Sequence, residues 1–221
     1  MSALAPAAEG TDVLEPEDVA RARWYSFFSR WFLAPPDQKA VDLFLSPQPP
    51  AAVASFDAET DLELAWHRFA EAVAGNSLAR MRAAYDDTFI SVGEAPVSLN
   101  ACVYLTGFSN ERPLAEVRQW LAAQGIQGTH GGLVTEDHFG LLCEVMTWLI
   151  IGDGDAAGRV GESRDAGDAA QRHLFGRFIA PACDEFCRRL GEAPDAGVYR
   201  ELGSLFGAFT AVERQAFDIE R

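Results

Sequence analysis

Positive charge is scarce in this chain. Eighteen Lys and Arg residues face thirty-three Asp and Glu, leaving a formal net charge of −15 over 221 residues. A field of that sign repels nucleic acid and anionic membranes and attracts a cationic partner. Cysteine is sparse as well. The four residues at 102, 143, 183 and 187 form no CxxC pair, and no His or Cys stands where it would complete a metal site with Cys183 and Cys187. They read as small buried hydrophobes, so no stably bound cofactor and no metal are expected. No apolar run approaches the ~20 residues a membrane span needs. The opening "MSALAPAAEGTDVLEPED" lacks the basic and apolar regions of a secretory signal. The expected compartment is therefore the cytoplasm, with neither nucleic acid nor membrane insertion. Period-two runs rich in β-branched residues are missing, as are internal repeats. Gly154 and Gly158 lack the strand–loop–helix setting of a phosphate-binding loop.

What is present points to a packed helical protein. A hydrophobic fraction of 48%, with 11% aromatic residues, is ample for a core. Residues 1–14, rich in Ala, Pro and Gly, read as a disordered lead-in. Pro16 suits a first helical turn, with Glu17 and Asp18 complementing the dipole. Trp24, Phe27, Phe28, Trp31 and Phe32 then repeat at three- and four-residue steps until Pro35-Pro36. Such a stripe predicts core. Shorter amphipathic segments follow over 57–75, where Leu62, Trp66, Phe69 and Val73 mark the buried face, and over 77–91. Pro113 opens a helix that Gly125 stops. Residues 152–168, "GDGDAAGRVGESRDAGD", read as a flexible link between a helical part at 15–151 and C-terminal helices at 169–221. Pro181 and Pro194 are expected to break that last part. The fold class is all-α, a single globular helical domain.

The stretch with most chemical content is "GGLVTEDHFGLLCEVMTWLI", residues 131–150. Three ionisable side chains, Glu136, Asp137 and His138, open a strongly apolar helix. The simplest reading makes Thr135 an N-cap and the acids surface groups of a first turn, where they favour the dipole by ~0.3–1 kcal/mol each. His138 is not explained that way. A second reading pairs Asp137 with His138 in a small metal-dependent hydrolase. Adjacent helical residues point about 100° apart, however, and no nucleophile elbow accompanies them. A third places the polar groups at the mouth of a groove, in contact with a partner, while Leu142, Met146 and Leu149 are buried core.

Asp137 and His138, followed by Leu142, Met146, Leu149 and Ile150, resemble the signature of the TorD/DmsD/NarJ family of redox-enzyme maturation chaperones. "RARWYSFFSRWFLAPP" looks like that family's first helix with its proline pair. "APVSLNACVYLTGFSNERPLAEVRQWLAAQGI" is similar to its segment around a Ser-x-Tyr, with Cys102 in place of the serine before Tyr104. "HLFGRFIAPACDEFCRRL" follows the later pattern loosely, so that the likeness runs from about residue 16 to 214. It implies an all-helical fold, monomeric or domain-swapped into dimers. It also implies a partner: the precursor of a molybdoenzyme, met through its twin-arginine leader or its apo catalytic subunit. Tyr104, Glu136, Asp137 and His138 would then line the peptide-binding surface. Transient contact with molybdenum cofactor or a guanine nucleotide is a family trait that the resemblance brings with it.

Overall fold

A computed structural model describes residues 14–45, 61–90, 95–109, 111–126, 134–152 and 164–219. Residues 1–13 of the expected lead-in and 153–163 of the expected link lie outside them. Among the described residues the only regular structure is helical, apart from one isolated antiparallel bridge between Asn100 and His138.

The first helix, α1 (Pro16–Leu33), starts on its proline and ends where Ala34 turns extended before Pro35. Its stripe is core, as the spacing implies: Trp24, Phe28, Trp31 and Phe32 are buried, and Tyr25 joins them. α2 (Gln38–Leu45) begins over the carboxylate of Asp37, whose Oδ1 accepts the Ala40 N–H at 2.7 Å. α3 (Asp61–Ala74) buries Leu62, Trp66, Phe69 and Val73. α4 (Leu78–Phe89) is capped by Ser77, and the short α5 (Ala101–Thr106) precedes α6 (Arg112–Ala123). At the end of α6 the Ile126 N–H donates to Leu121 O and the Gly125 N–H to Ala122 O. This paired closure needs the left-handed φ of +71° that Gly125 supplies.

α7 (Phe139–Ile151) occupies the middle of the molecule. Phe139, Leu141, Leu142, Cys143, Met146, Leu149 and Ile150 are all buried, so a helix apolar on nearly every side has neighbours on nearly every side. α1 lies along it. Gly140 makes that approach possible, because a methyl there would sit 2.7 Å from Leu33 Cγ and 3.1 Å from Leu33 N.

The C-terminal part departs from the sequence reading in two places. Helix α8 (Arg164–Leu174) already begins inside the stretch expected to be a link. Pro181 does not break the chain either. A five-residue π-helical turn, Phe175–Ile179, joins α8 to α9 (Ala180–Glu192), and the Ala180 N–H reaches back to Phe175 O. The wider turn moves the bonding pattern one residue along, so the helical path survives the missing proline N–H. Residues 193–197, containing Pro194, then separate α9 from α10 (Val198–Ile219), as expected.

α10 packs against α9 and α3 and closes the aromatic core. Trp24 meets Trp66 edge-on at 5.3 Å, Phe28 meets Phe206 at 4.9 Å, and Phe139 lies 4.5 Å from Phe186. One charged device crosses this interior. Arg21 of α1 grips Glu213 of α10 with Nε to Oε1 at 2.8 Å and Nη2 to Oε2 at 3.0 Å, and Tyr25 donates its hydroxyl to Oε2 at 2.8 Å. Burial alone would lower the Arg21 pKa, but the hydrogen bonds and charge of Glu213 outweigh it and hold the guanidinium firmly protonated.

Candidate functional site

The residues singled out between 135 and 138 do not form a first helical turn. The chain makes a turn closed by the His138 N–H on Thr135 O at 3.0 Å and then bridges to Asn100, with the Phe139 N–H donating to Leu99 O at 2.8 Å and the Ala101 N–H donating to Asp137 O at 2.9 Å. Helix α7 starts only at Phe139, and its cap is His138 rather than Thr135: the Gly140 N–H donates to His138 Nδ1 at 3.1 Å. An accepting Nδ1 places a neutral ring's proton on Nε2. The helix therefore opens on an imidazole acting as a lone-pair donor, not as a cation opposing the dipole.

Asp137 is 2% exposed and His138 6%. Neither is the surface group expected from the sequence, because the bridge to Asn100 draws this turn beneath the start of α5. Both Asp137 oxygens are occupied. Oδ2 accepts the Cys102 N–H at 3.0 Å, while Oδ1 accepts Asn100 Nδ2 at 3.0 Å and the Thr135 hydroxyl at 2.6 Å. Asn100 also donates to Thr135 Oγ1. Cys102 is in the first turn of α5, whose early N–H groups have no partner within the helix. Asp137 thus caps a helix that lies 35 residues before it in sequence, and its charge faces the positive end of that helix.

Glu136 turns the other way. Its Oε2 lies 2.6 Å from Arg118 Nε of α6, with 34% and 52% of the two side chains exposed. Tyr104, in the middle of α5, is half-buried. Its hydroxyl donates to Ser98 O at 2.5 Å, its ring lies 6.0 Å from Phe139 and 5.7 Å from Phe186, and the Arg189 guanidinium sits 5.4 Å over it. Burial pushes the Tyr104 phenol well above its ordinary pKa, with Arg189 only partly offsetting it, so it stays a hydrogen-bond donor. Past the left-handed Gly107, at the end of α5, Phe108 stands 69% exposed.

The four residues taken from the sequence do converge on one junction of α5, α6 and α7. They divide into a buried pair that fixes backbone and two groups that reach its surface. Asn100 and Arg118, which complete the arrangement, were not singled out beforehand. An Asn just before a short helix is a legible cap signal, but its pairing with a carboxylate 37 residues on is not written locally. Among the described residues no group of three or more His, Cys, Asp or Glu is placed to hold a metal ion. His173 stacks on Trp120 at 5.3 Å. Cys183 and Cys187 have their sulfurs 3.6 Å apart, with Cys183 donating to Thr210 Oγ1 at 3.3 Å.

The model of a family described as nitrate reductase delta subunit matches residues 57–188, more than half of the chain and the whole of this junction. The chain belongs to the nitrate reductase delta subunit family. This is the NarJ/TorD-like group of redox-enzyme maturation chaperones, in agreement with the resemblance carried by Asp137, His138 and the apolar helix behind them. No curated protein matches the chain. Within the delta-subunit span fall α3 to most of α9, while α1 and α10, which complete the core, lie outside it. No described helix is long and apolar enough to cross a membrane.

Proposed function

We propose that this delta-subunit family member acts in the cytoplasm as a chaperone for the precursor of a molybdenum-containing redox enzyme. It holds the twin-arginine leader, or another segment of the precursor, until cofactor insertion is complete. The observation that carries the reading is the junction itself. In a family of maturation chaperones, a network of Asn100 and Thr135 around the buried Asp137 positions a surface that offers a carboxylate, Glu136, and half-buried aromatic surface at Tyr104. Asp137 and His138 serve the peptide by holding the starts of α5 and α7, and Glu136 and Tyr104 meet it.

Magnitudes divide the work. Exposed ion pairs give ~0.2–1 kcal/mol each, whereas micromolar binding needs about 8 kcal/mol. Burying three or four leucine-like side chains of a leader supplies ~1.5–3 kcal/mol apiece before ordering costs. Apolar docking sets affinity, and the net charge of −15 speeds encounter with a cationic leader and fixes its register. No covalent step is required.

The test is calorimetric titration of the protein with a twin-arginine leader peptide, together with recovery of a molybdoenzyme precursor, leader intact, from native cytoplasm. Micromolar binding that weakens in Tyr104→Ala and Glu136→Ala is expected. Binding that neither substitution changes would place the peptide elsewhere, and no binding of leader or precursor would end the proposal.

A further inference from the structure

We infer that Glu136 is the guanidinium acceptor of this site, and that Arg118 holds its place in the free protein. A leader arginine then binds by displacing an arginine of the chain itself. The inference rests on the leader-binding reading above and adds to it which carboxylate is used and what guards it.

The choice follows from what each group already touches. Asp137, adjacent in sequence and the more obvious acceptor, is 2% exposed, with both oxygens taken by Cys102 N–H, Asn100 and Thr135. A guanidinium could reach it only by uncapping α5. Glu136 is one third exposed, and among the described residues its carboxylate is met by Arg118, through one nitrogen at 2.6 Å. That contact has the chemistry of the proposed ligand: a guanidinium Nε–H on a carboxylate oxygen. Being half-exposed on the Arg118 side, it is cheap to break. An incoming arginine that engages both oxygens, as the planar fork allows, replaces a one-point contact with a two-point one. The same self-pairing recurs elsewhere on α6, where Glu116 is shared by Arg112 at 3.0 Å and by Arg177. At this part of the surface the two carboxylates Glu136 and Glu116 are thus already met by the chain's own arginines. Arg118 acts as a selectivity filter, because a lysine, a compact point charge, has less geometric advantage over it.

The experiment is titration calorimetry of a twin-arginine leader peptide, and of the same peptide with both arginines replaced by glutamine. The proteins are wild type, Arg118→Ala, Glu136→Ala, the double variant, and Arg82→Ala as a charge control on exposed α4 surface. Arg118→Ala should bind the arginine peptide about two- to five-fold more tightly and leave the glutamine peptide unchanged. Glu136→Ala should bind the arginine peptide more weakly, and adding Arg118→Ala to it should change nothing further. The inference is overturned if Arg118→Ala binds no better than wild type. It is equally overturned if the gain persists without Glu136 or is matched by Arg82→Ala, which would make it an effect of net charge. If wild type and all variants fail to bind the arginine peptide, the leader-binding reading falls, and the filter with it.

Discussion

Replacing Asp137 by alanine tests the central claim about the junction. The substitution removes a buried carboxylate and leaves three donors facing the space. The Thr135 hydroxyl can rotate toward another acceptor, and Asn100 can turn its amide partly outward. The Cys102 N–H is fixed in the first turn of α5 and can do neither. An orphaned buried donor costs about 1–3 kcal/mol, and loss of the charge facing the helix end adds ~0.3–1 kcal/mol. With Asn100 partly stranded, the total is about 3 kcal/mol. For a chain of this size about 1 kcal/mol shifts Tm by roughly 2–4 °C, so Asp137→Ala should melt about 6–12 °C below wild type. Hydrogen exchange gives the local readout: Cys102 and its neighbours in α5 should lose amide protection, while the centre of α7 keeps it. Asp137→Asn should also destabilise, since its NH2 must face donors. An Asp137→Ala protein that melts within about 2 °C of wild type, with Cys102 still protected, would refute the capping argument.

Three further outcomes follow from the packing. Gly140→Ala forces a methyl to 2.7 Å from Leu33 Cγ and 3.1 Å from its backbone nitrogen. Overpacking of this kind costs about 1–3 kcal/mol, and urea denaturation should show a lower midpoint with an unchanged slope. Leu142→Ala empties a fully buried position of α7 and should cost about 2–5 kcal/mol in the same assay. Glu185 is held down from 4.5 to about 2 by hydrogen bonds from Arg188 and then Arg189. A depressed carboxylate favours the folded state above its unfolded pKa and loses that advantage as pH falls through the folded one. NMR titration of the Glu185 carboxyl should therefore give a midpoint near 2 that rises in Arg188→Ala.

Helices were legible wherever periodicity and terminators agreed. The stripe at Trp24–Phe32 with Pro35-Pro36, the face Leu62–Val73, and the Pro113–Gly125 helix each carry start, face and stop within one stretch of chain. Pro181 misled because a proline's local penalty can be absorbed by a π turn, and the sequence does not say where the bonding pattern shifts. At the site, the residues were legible but not their exposure. Thr135, Glu136 and Asp137 look like a first turn until the pairing of Asn100 with His138 is known, and that pairing joins segments separated by α6. The same limit hid Arg118, whose partner Glu136 lies across a glycine-rich connection.

The Arg21–Glu213 pair has a consequence for the order in which the molecule is made. Its two members are 192 residues apart, and during synthesis the N-terminal helix emerges first. Until the helix at Val198–Ile219 follows, Arg21 has no carboxylate from α10, and Trp24, Tyr25 and Phe28 lack Phe206 and Phe209 to cover them. The nascent chain therefore carries an uncovered aromatic face for most of its translation. The aromatic core closes only when the helix at Val198–Ile219 arrives, so every copy must first pass through an interval in which that core stands open.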